Sequence, residues 1–235
     1  LANACAGIAS ACEALETPVT GGNVSLYNET LDAEGTPQAI YPTPVIGMVG
    51  KVEDVTKVCG QGWQNEGDLI YLLGENRATL GGSEYLAVVH DLVAGKPPVV
   101  DFNLERSVQT ACRGGIQQGW VNSAHDCAEG GLAVALAECC ISGQRGAKVQ
   151  LENGELRWDE VLFGEAASRI LVSIPPEKQG EWETYLQAQL GNAWTKLGQV
   201  QEETLEIMTG EKSPVLVAKI EALVEPWEGA IPRRL

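Results

Sequence analysis

The sequence predicts an α/β (α+β) protein built in layers. Three observations carry that prediction. Compact apolar runs of strand length alternate with longer stretches whose apolar residues recur at helical spacing. Several of the connections between them are short. The composition, 44% apolar with 27 Gly and 11 Pro in 235 residues, supports a packed core interrupted by many turns.

The elements follow in order. Residues 1–16 are expected to be a helix, because Ala4, Ile8, Ala11 and Leu15 share one face and Pro18 follows the end. Residues 18–27 are expected to be a strand, interrupted at Gly21 and Gly22. "YNETLDAEGTPQA" is polar and turn-rich and is expected to be a loop. "IYPTPVIGMVGKV" follows as a second strand, whose prolines suit an edge or a bent entry. "EDVTKVCGQGWQNEGD" is a connector, with a domain boundary expected near residue 57.

Beyond it, "LIYLLGE" is a compact buried strand, and "ATLGGSEYLAVVHDLVAG" a Gly-rich turn followed by a helix. A helix is expected from about Asn103 to Gln118, and a short strand running into a loop over "VNSAHDCAEGG". "LAVALAECCISG" is an apolar helix and "GAKVQLE" a strand. "RWDEVLFGEAASRILVSIPP" is expected to hold a loop and then a strand over Ser168–Ile174. "EKQGEWETYLQAQLG" is an amphipathic helix, and "AWTKLGQVQ" with "TLEIMTG" a hairpin-like pair. "SPVLVAKIEALVEPWEGAIPRRL" is expected to begin as a helix and end as a Pro-bearing tail.

Charge narrows the function. A formal net charge of −16 repels nucleic acid and anionic membrane surfaces. No Lys/Arg cluster tracks a phosphate backbone, so neither partner is expected. The seven cysteines form no CxxC and mostly lie among apolar residues, which fits a reducing, cytoplasmic setting. No run is long enough to span a bilayer as a helix. The chain opens at Leu1 directly in a helix-like stretch, so a piece of a longer polypeptide is expected.

Three stretches can carry chemistry. In Gly21-Gly22-Asn23-Val24-Ser25 the glycines would let backbone N–H groups approach a phosphate, and Asn23 offers a neutral oxygen to a hard ion such as Mg²⁺. Ser25, two residues on, shares a face with Asn23 on an extended chain. A simple β-bulge is the alternative. In "SAHDCAEGGLAVALAE" a His-Asp pair, His125 and Asp126, precedes a Gly-Gly at a helix entry, where an anion could bind and Asp126 could hold a metal. The alternative is that Asp126 or Glu129 caps the helix and His125 is a structural hydrogen-bonder. In "LFGEAASRILVSI" Glu165 could bind a hydroxyl or a metal and Arg169 a phosphate, or the two could form a surface pair.

Together, "TPVTGGNVSLYNET", "PTPVIGMVG", "GDLIYLLG", "LGGSEYL", "SAHDCAEGGLAVALAE" and "LFGEAASRILVSI" resemble, in order and spacing, the C-terminal half of the phosphoribosylformylglycinamidine synthase family, the synthetase of the fourth step of purine biosynthesis. The resemblance runs over nearly the whole chain. It implies that residues 1–56 are the latter part of a second A-type domain, like that of aminoimidazole ribonucleotide synthetase. Residues 57–235 would be a complete second B-type domain with a mixed sheet and helices. The family is an ATP-dependent ligase that converts formylglycinamide ribonucleotide and ammonia to the amidine. The ammonia is made from glutamine by a glutaminase subunit, and a small accessory subunit completes the complex. By the same resemblance Gly22 is an ATP contact, Asn23 a Mg²⁺ ligand and Ser25 a substrate contact. The catalytic His, the ATP-binding Lys and most acidic Mg²⁺ ligands belong to the missing N-terminal half, so this chain alone is expected to be inactive. His125, Asp126 and Glu165 would face an auxiliary nucleotide site. Glu165-Ala166-Ala167 stands where the first half carries a substrate-binding Glu-Ser-Gln, which speaks against a second working site. The runner-up reading is a non-catalytic nucleotide-binding or subunit-docking fragment.

Overall fold

A computed structural model of the chain describes residues 1–25, 28–41, 43–209 and 213–234. It divides into two units, Leu1–Glu53 and Asp54–Leu235.

The first unit begins with α1 (Ala2–Leu15), closed by Glu16 in the left-handed region at φ 54°. None of its residues is buried. The expected strand over 18–27 does not form in the described residues 18–25, and Leu26 and Tyr27 lie outside the described residues. A hairpin forms instead inside the expected loop, pairing β1 (Glu29–Leu31) antiparallel with β2 (Pro37–Ala39). Its turn is closed by backbone bonds from Asp32 N to Thr36 O and from Gly35 N to Asp32 O, both at 3.0 Å, and by the Asp32 side chain. Asp32 Oδ1 accepts from Thr36 N at 2.7 Å and Glu34 N at 3.0 Å, and Oδ2 from Gln38 Nε2 at 3.1 Å. An Asp that bonds the backbone two residues on mimics a backbone turn, so the polar composition marks a turn between strands rather than a loop without them. "IYPTPVIGMVGKV" is likewise not a strand among its described residues (Pro42 lies outside them), and Val45, Ile46, Met48 and Val49 are exposed. β-propensity measures fit to a pleated, half-buried surface, and within this unit these apolar residues meet no ladder partner.

The second unit is a seven-stranded sheet in the order β4-β6-β3-β7-β5-β8-β9. The strands are β3 (Leu69–Leu73), β4 (Ser123–Asp126), β5 (Gly146–Leu151), β6 (Ile170–Ile174), β7 (Trp194–Gln201), β8 (Thr204–Thr209) and β9 (Ser213–Lys219). The β5–β8 pair is parallel and the other pairs are antiparallel, so the sheet is mixed. The helices are α2 (Glu84–His90), α3 (Phe102–Gln117), α4 (Gly131–Gly143), α5 (Trp158–Phe163), α6 (Gln179–Leu190) and α7 (Ile220–Glu228).

Strand β3 is buried along its whole length, so its side chains divide between two cores. Ile70 and Leu72 pack with α4, α5 and the start of α7, through Leu132, Leu136, Cys139, Val161 and Ile220. Leu69, Tyr71 and Leu73 pack with α3 and α6, through Val108, Ala111, Trp182 and Leu186. Helices on both faces of a central strand explain its unbroken apolar run. Strand β5 alternates instead, with Lys148 and Gln150 exposed between buried Ala147, Val149 and Leu151. Two polar pairs are tied across this packing. Tyr71 Oη donates to Glu183 at 2.8 Å, and Asn122 Nδ2 to Asp68 at 2.8 Å.

Three expectations are corrected here. Strands β7 and β8 are not a ladder pair, because β5 lies between them, antiparallel to β7 and parallel to β8. The backbone crossing this requires is tight. A Cβ on Gly146 would lie 2.1 Å from Thr204 O, so only glycine lets β5 enter there. The segment after residue 213 begins as strand β9, not as a helix, because Val217 and Leu216 pair with Glu206 and Ile207 of β8. A short helix, α5, occupies the expected loop before Gly164, and its first turn is closed by Glu160 Oε2 accepting from Arg157 N at 3.1 Å.

Candidate functional site

The opening stretch lies in the first unit. Gly21, Gly22, Asn23 and Ser25 are all exposed. Neither glycine has a positive φ, and a Cβ on either would meet no atom within 4 Å. Their smallness therefore answers to nothing in this chain's own packing. The structure does bring Asn23 and Ser25 together, with Asn23 Nδ2 donating to Ser25 Oγ at 3.2 Å. That bond uses the amide nitrogen, and no described residue donates to the amide oxygen, which remains a candidate cation ligand.

The other candidates lie in the second unit, around a cleft of about 400 Å³. Its walls come from the Gly81-Gly82 turn, Pro97 and Pro98, the loop Asp126–Glu129 after β4, and Glu165–Ala167 before β6. Asp126 and Glu165 thus share one cleft. His125 does not line it. His125 Nε2 is 2.8 Å from Glu138 Oε2 on α4, and Nδ1 is 3.5 Å from Asp126 Oδ1. The Glu138 carboxylate thus hydrogen-bonds the ring from α4.

Glu165 is more than a surface carboxylate. Its Oε1 accepts from Gly130 N, immediately before α4, and from Glu84 N at the start of α2, both at 2.9 Å. A carboxylate that accepts backbone N–H groups at a helix start is favourably placed. The α4 cap is therefore supplied by Glu165 from another loop, and not by the side chain of Asp126 or Glu129. Arg169 is not its surface partner. Arg169 is 2% exposed, donates through Nη2 to Gly164 O at 2.8 Å, and leaves Nε and Nη1 without a partner among the described residues. Burial pulls its pKa below the ordinary value. The same loop carries Ser168 at φ 62°, with Oγ donating to Glu105 at 2.6 Å.

Among the described residues no Lys or Arg lines the cleft, while Asp126, Glu129 and Glu165 do. An anion entering it would need accompanying cations. Among the described residues no group of three His, Cys, Asp or Glu is placed to hold a metal ion. Magnesium is usually bound through one or two carboxylates plus substrate phosphates and water, and Asn23 offers an amide oxygen in place of a carboxylate. Sequence reasoning missed the parts played by Gly81, Gly82, Pro97 and Pro98. The Gly-Gly and Pro-Pro pairs were the available signal, and only folding brings them beside Glu165.

Among the described residues, no helix is long and apolar enough to cross a membrane. Residues 65–210 match the family described as AIR synthase related protein, C-terminal domain, and the chain belongs to that family. It is similar to the phosphoribosylformylglycinamidine synthase subunit PurL of Synechococcus sp. (strain JA-2-3B'a(2-13)), with 61% identity over 233 residues covering 98% of this chain and 30% of the relative. PurL of Synechocystis sp. (strain ATCC 27184 / PCC 6803 / Kazusa) is 60% identical over 238 residues, 100% of this chain and 31% of the relative. The chain thus spans about 30% of the length of these curated relatives. Among solved structures, T. maritima PurL complexed with FGAR superposes with a TM-score of 0.61 at 21% identity, covering 72% of this chain and 30% of that one. T. maritima PurL complexed with ATP gives 0.58 at 20% identity, over 72% and 28%. These two likenesses establish the fold.

Proposed function

We propose that this chain forms the C-terminal part of an ATP-dependent ligase of purine biosynthesis that converts formylglycinamide ribonucleotide and ammonia to formylglycinamidine ribonucleotide. The observation that carries the reading is the 61% identity, over nearly the whole chain, with a phosphoribosylformylglycinamidine synthase subunit. On this reading residues 1–56 belong to a second A-type domain and residues 57–235 form the second B-type domain.

The residues divide the work as follows. Gly22 offers backbone N–H to ATP phosphate, with no side chain in the way. Asn23 would hold Mg²⁺ through its amide oxygen, and Ser25 would contact the substrate while steadying the Asn23 amide. Bound Mg²⁺ would supply screening of phosphate charge. The chain's own acidic balance, −16, cannot do that, so cationic groups must come from the rest of the enzyme. The cleft at Asp126 and Glu165 corresponds to an auxiliary nucleotide position, with His125 behind it as a brace. Ala166 and Ala167 offer no polar group there, consistent with a structural site and not a second reaction centre. The working assembly is cytoplasmic and includes a glutaminase subunit, which supplies ammonia, and a small accessory subunit.

The test joins this chain to the N-terminal portion of the Synechocystis relative and measures amidine formation from ATP, formylglycinamide ribonucleotide and ammonium. The joined enzyme should turn over and the 235-residue chain alone should not. Asn23→Ala in the joined enzyme should lower kcat/KM by at least about 100-fold, the scale of losing one well-placed electrostatic stabiliser. No amidine from the joined enzyme would overturn the ligase reading, amidine above background from the chain alone would overturn its dependence on the rest of the enzyme, and near-normal turnover by Asn23→Ala would remove Asn23 from the site.

A further inference from the structure

The segment from Leu80 to Val100 stands apart from the rest of the second unit. Helix α2 buries none of its residues, and Val88, Val89, Val93 and Val99 around it are exposed. The segment is closed on itself near its ends. Gly82 N donates to Ala94 O at 2.8 Å, and the Gly81 backbone lies against that of Lys96. A loop tied at its neck can move as one piece.

Its attachments to the body converge on residues 163–165. Glu165 N donates to Thr79 O at 2.9 Å, and Thr79 N to Glu165 O at 3.3 Å, an isolated antiparallel bridge at the neck. The Tyr85 ring stacks on Phe163 with centroids 5.0 Å apart and planes 7° from parallel. Glu165 Oε1 then joins Glu84 N on the segment to Gly130 N on the body. The segment supplies Gly81, Gly82, Pro97 and Pro98 to the cleft, while Asp126, Glu129 and Ala166 come from the body. Moving the segment would therefore unmake one wall of the cleft.

We propose that residues 80–100 are a flap over this cleft and that the Glu165 carboxylate is its latch. A region with few buried apolar contacts and a small number of attachments opens locally at lower free energy than the core. One oxygen that accepts from both sides makes the closure depend on one side chain. The inference rests on the geometry of the second unit alone and does not depend on the proposed ligase activity.

Hydrogen–deuterium exchange read by mass spectrometry on the whole 235-residue chain tests it. In Glu165→Ala, peptides spanning 80–100 should exchange on the order of tenfold faster or more, the scale of losing hydrogen bonds to a charged group. Peptides of β3 and β6 should be unchanged. Glu165→Gln keeps an acceptor oxygen without the charge and should fall between. Tyr85→Ala, which loosens the flap from its own side, should accelerate the same peptides. Unchanged exchange over 80–100 in Glu165→Ala, or an equal acceleration in β3 and β6, would overturn the latch.

Discussion

The start of α4 offers a quantitative test of the packing around the cleft. Gly131 has φ 68°, in the left-handed region, where an L side chain costs roughly 1–2 kcal/mol. A Cβ there would also lie 2.5 Å from Gly164 O and 2.9 Å from Phe163 C. These are backbone atoms, and they are fixed. Gly164 O receives Arg169 Nη2 at 2.8 Å, and Gly164 N donates to Glu160 O at 3.0 Å. Overpacking of this kind costs about 1–3 kcal/mol, so Gly131→Ala should destabilise by about 2–5 kcal/mol in all. Gly119→Ala is the control. Its φ is 73°, but a Cβ would meet nothing within 4 Å, so only the conformational part remains. The assay is urea unfolding followed by tryptophan fluorescence. All six tryptophans lie beyond residue 53, so the signal reports the second unit alone. Gly131→Ala should lose about 1–3 kcal/mol more than Gly119→Ala. Equal losses would refute the claim that α4 starts hard against the 163–164 backbone.

Two further outcomes follow from the titrating groups. The Thr36 N–H, above all, and the Gln38 amide hold the exposed Asp32 carboxyl below its ordinary value of 3.8. Its contribution to the hairpin is therefore present above that value and is lost as pH falls through the lower, folded one. An NMR titration should place the Asp32 midpoint below 3.8, with Thr36 amide exchange quickening over the same acid range, and a midpoint at or above 3.8 would count against the turn. Burial pushes the Cys112, Cys127 and Cys140 thiols up to about 12, and Cys139 well above its ordinary value. Since the thiolate is the reactive species, iodoacetamide at about pH 8 should spare these four in the folded chain while reaching the exposed Cys5. The four buried cysteines should label only after denaturation, and rapid labelling of any of them in the folded chain would contradict its burial.

The elements that could be read from sequence are those whose signal is local. The apolar run Leu69–Leu73, the alternation of Lys148 and Gln150 with Val149 and Leu151, and the apolar helix that begins at Gly131 each match the structure. The hairpin at Glu29–Ala39 was obscured because its turn and strands are both polar and its strands are only three residues each. Strand β9 was obscured because a short apolar run without clear period reads as helix or strand, and its partner β8 decides. The site divides in the same way. The Asn23–Ser25 contact follows from spacing along an extended chain. The double role of Glu165 does not, since its two donors are 81 and 35 residues distant.

Composition and local pattern by themselves determined the layered α/β class, the acidic character, and the order of glycines, amide and hydroxyl at residues 21–25. Those properties depend on residue type and on spacing within one or two turns of chain. Tertiary structure alone decided that β5 separates β7 from β8, that His125 turns to Glu138 instead of the cleft, and that Glu165 caps α4 from another loop. Each of these is a choice among partners distant in sequence. It is settled by which donors and acceptors, backbone or side chain, folding brings within hydrogen-bond reach, a quantity no local pattern contains.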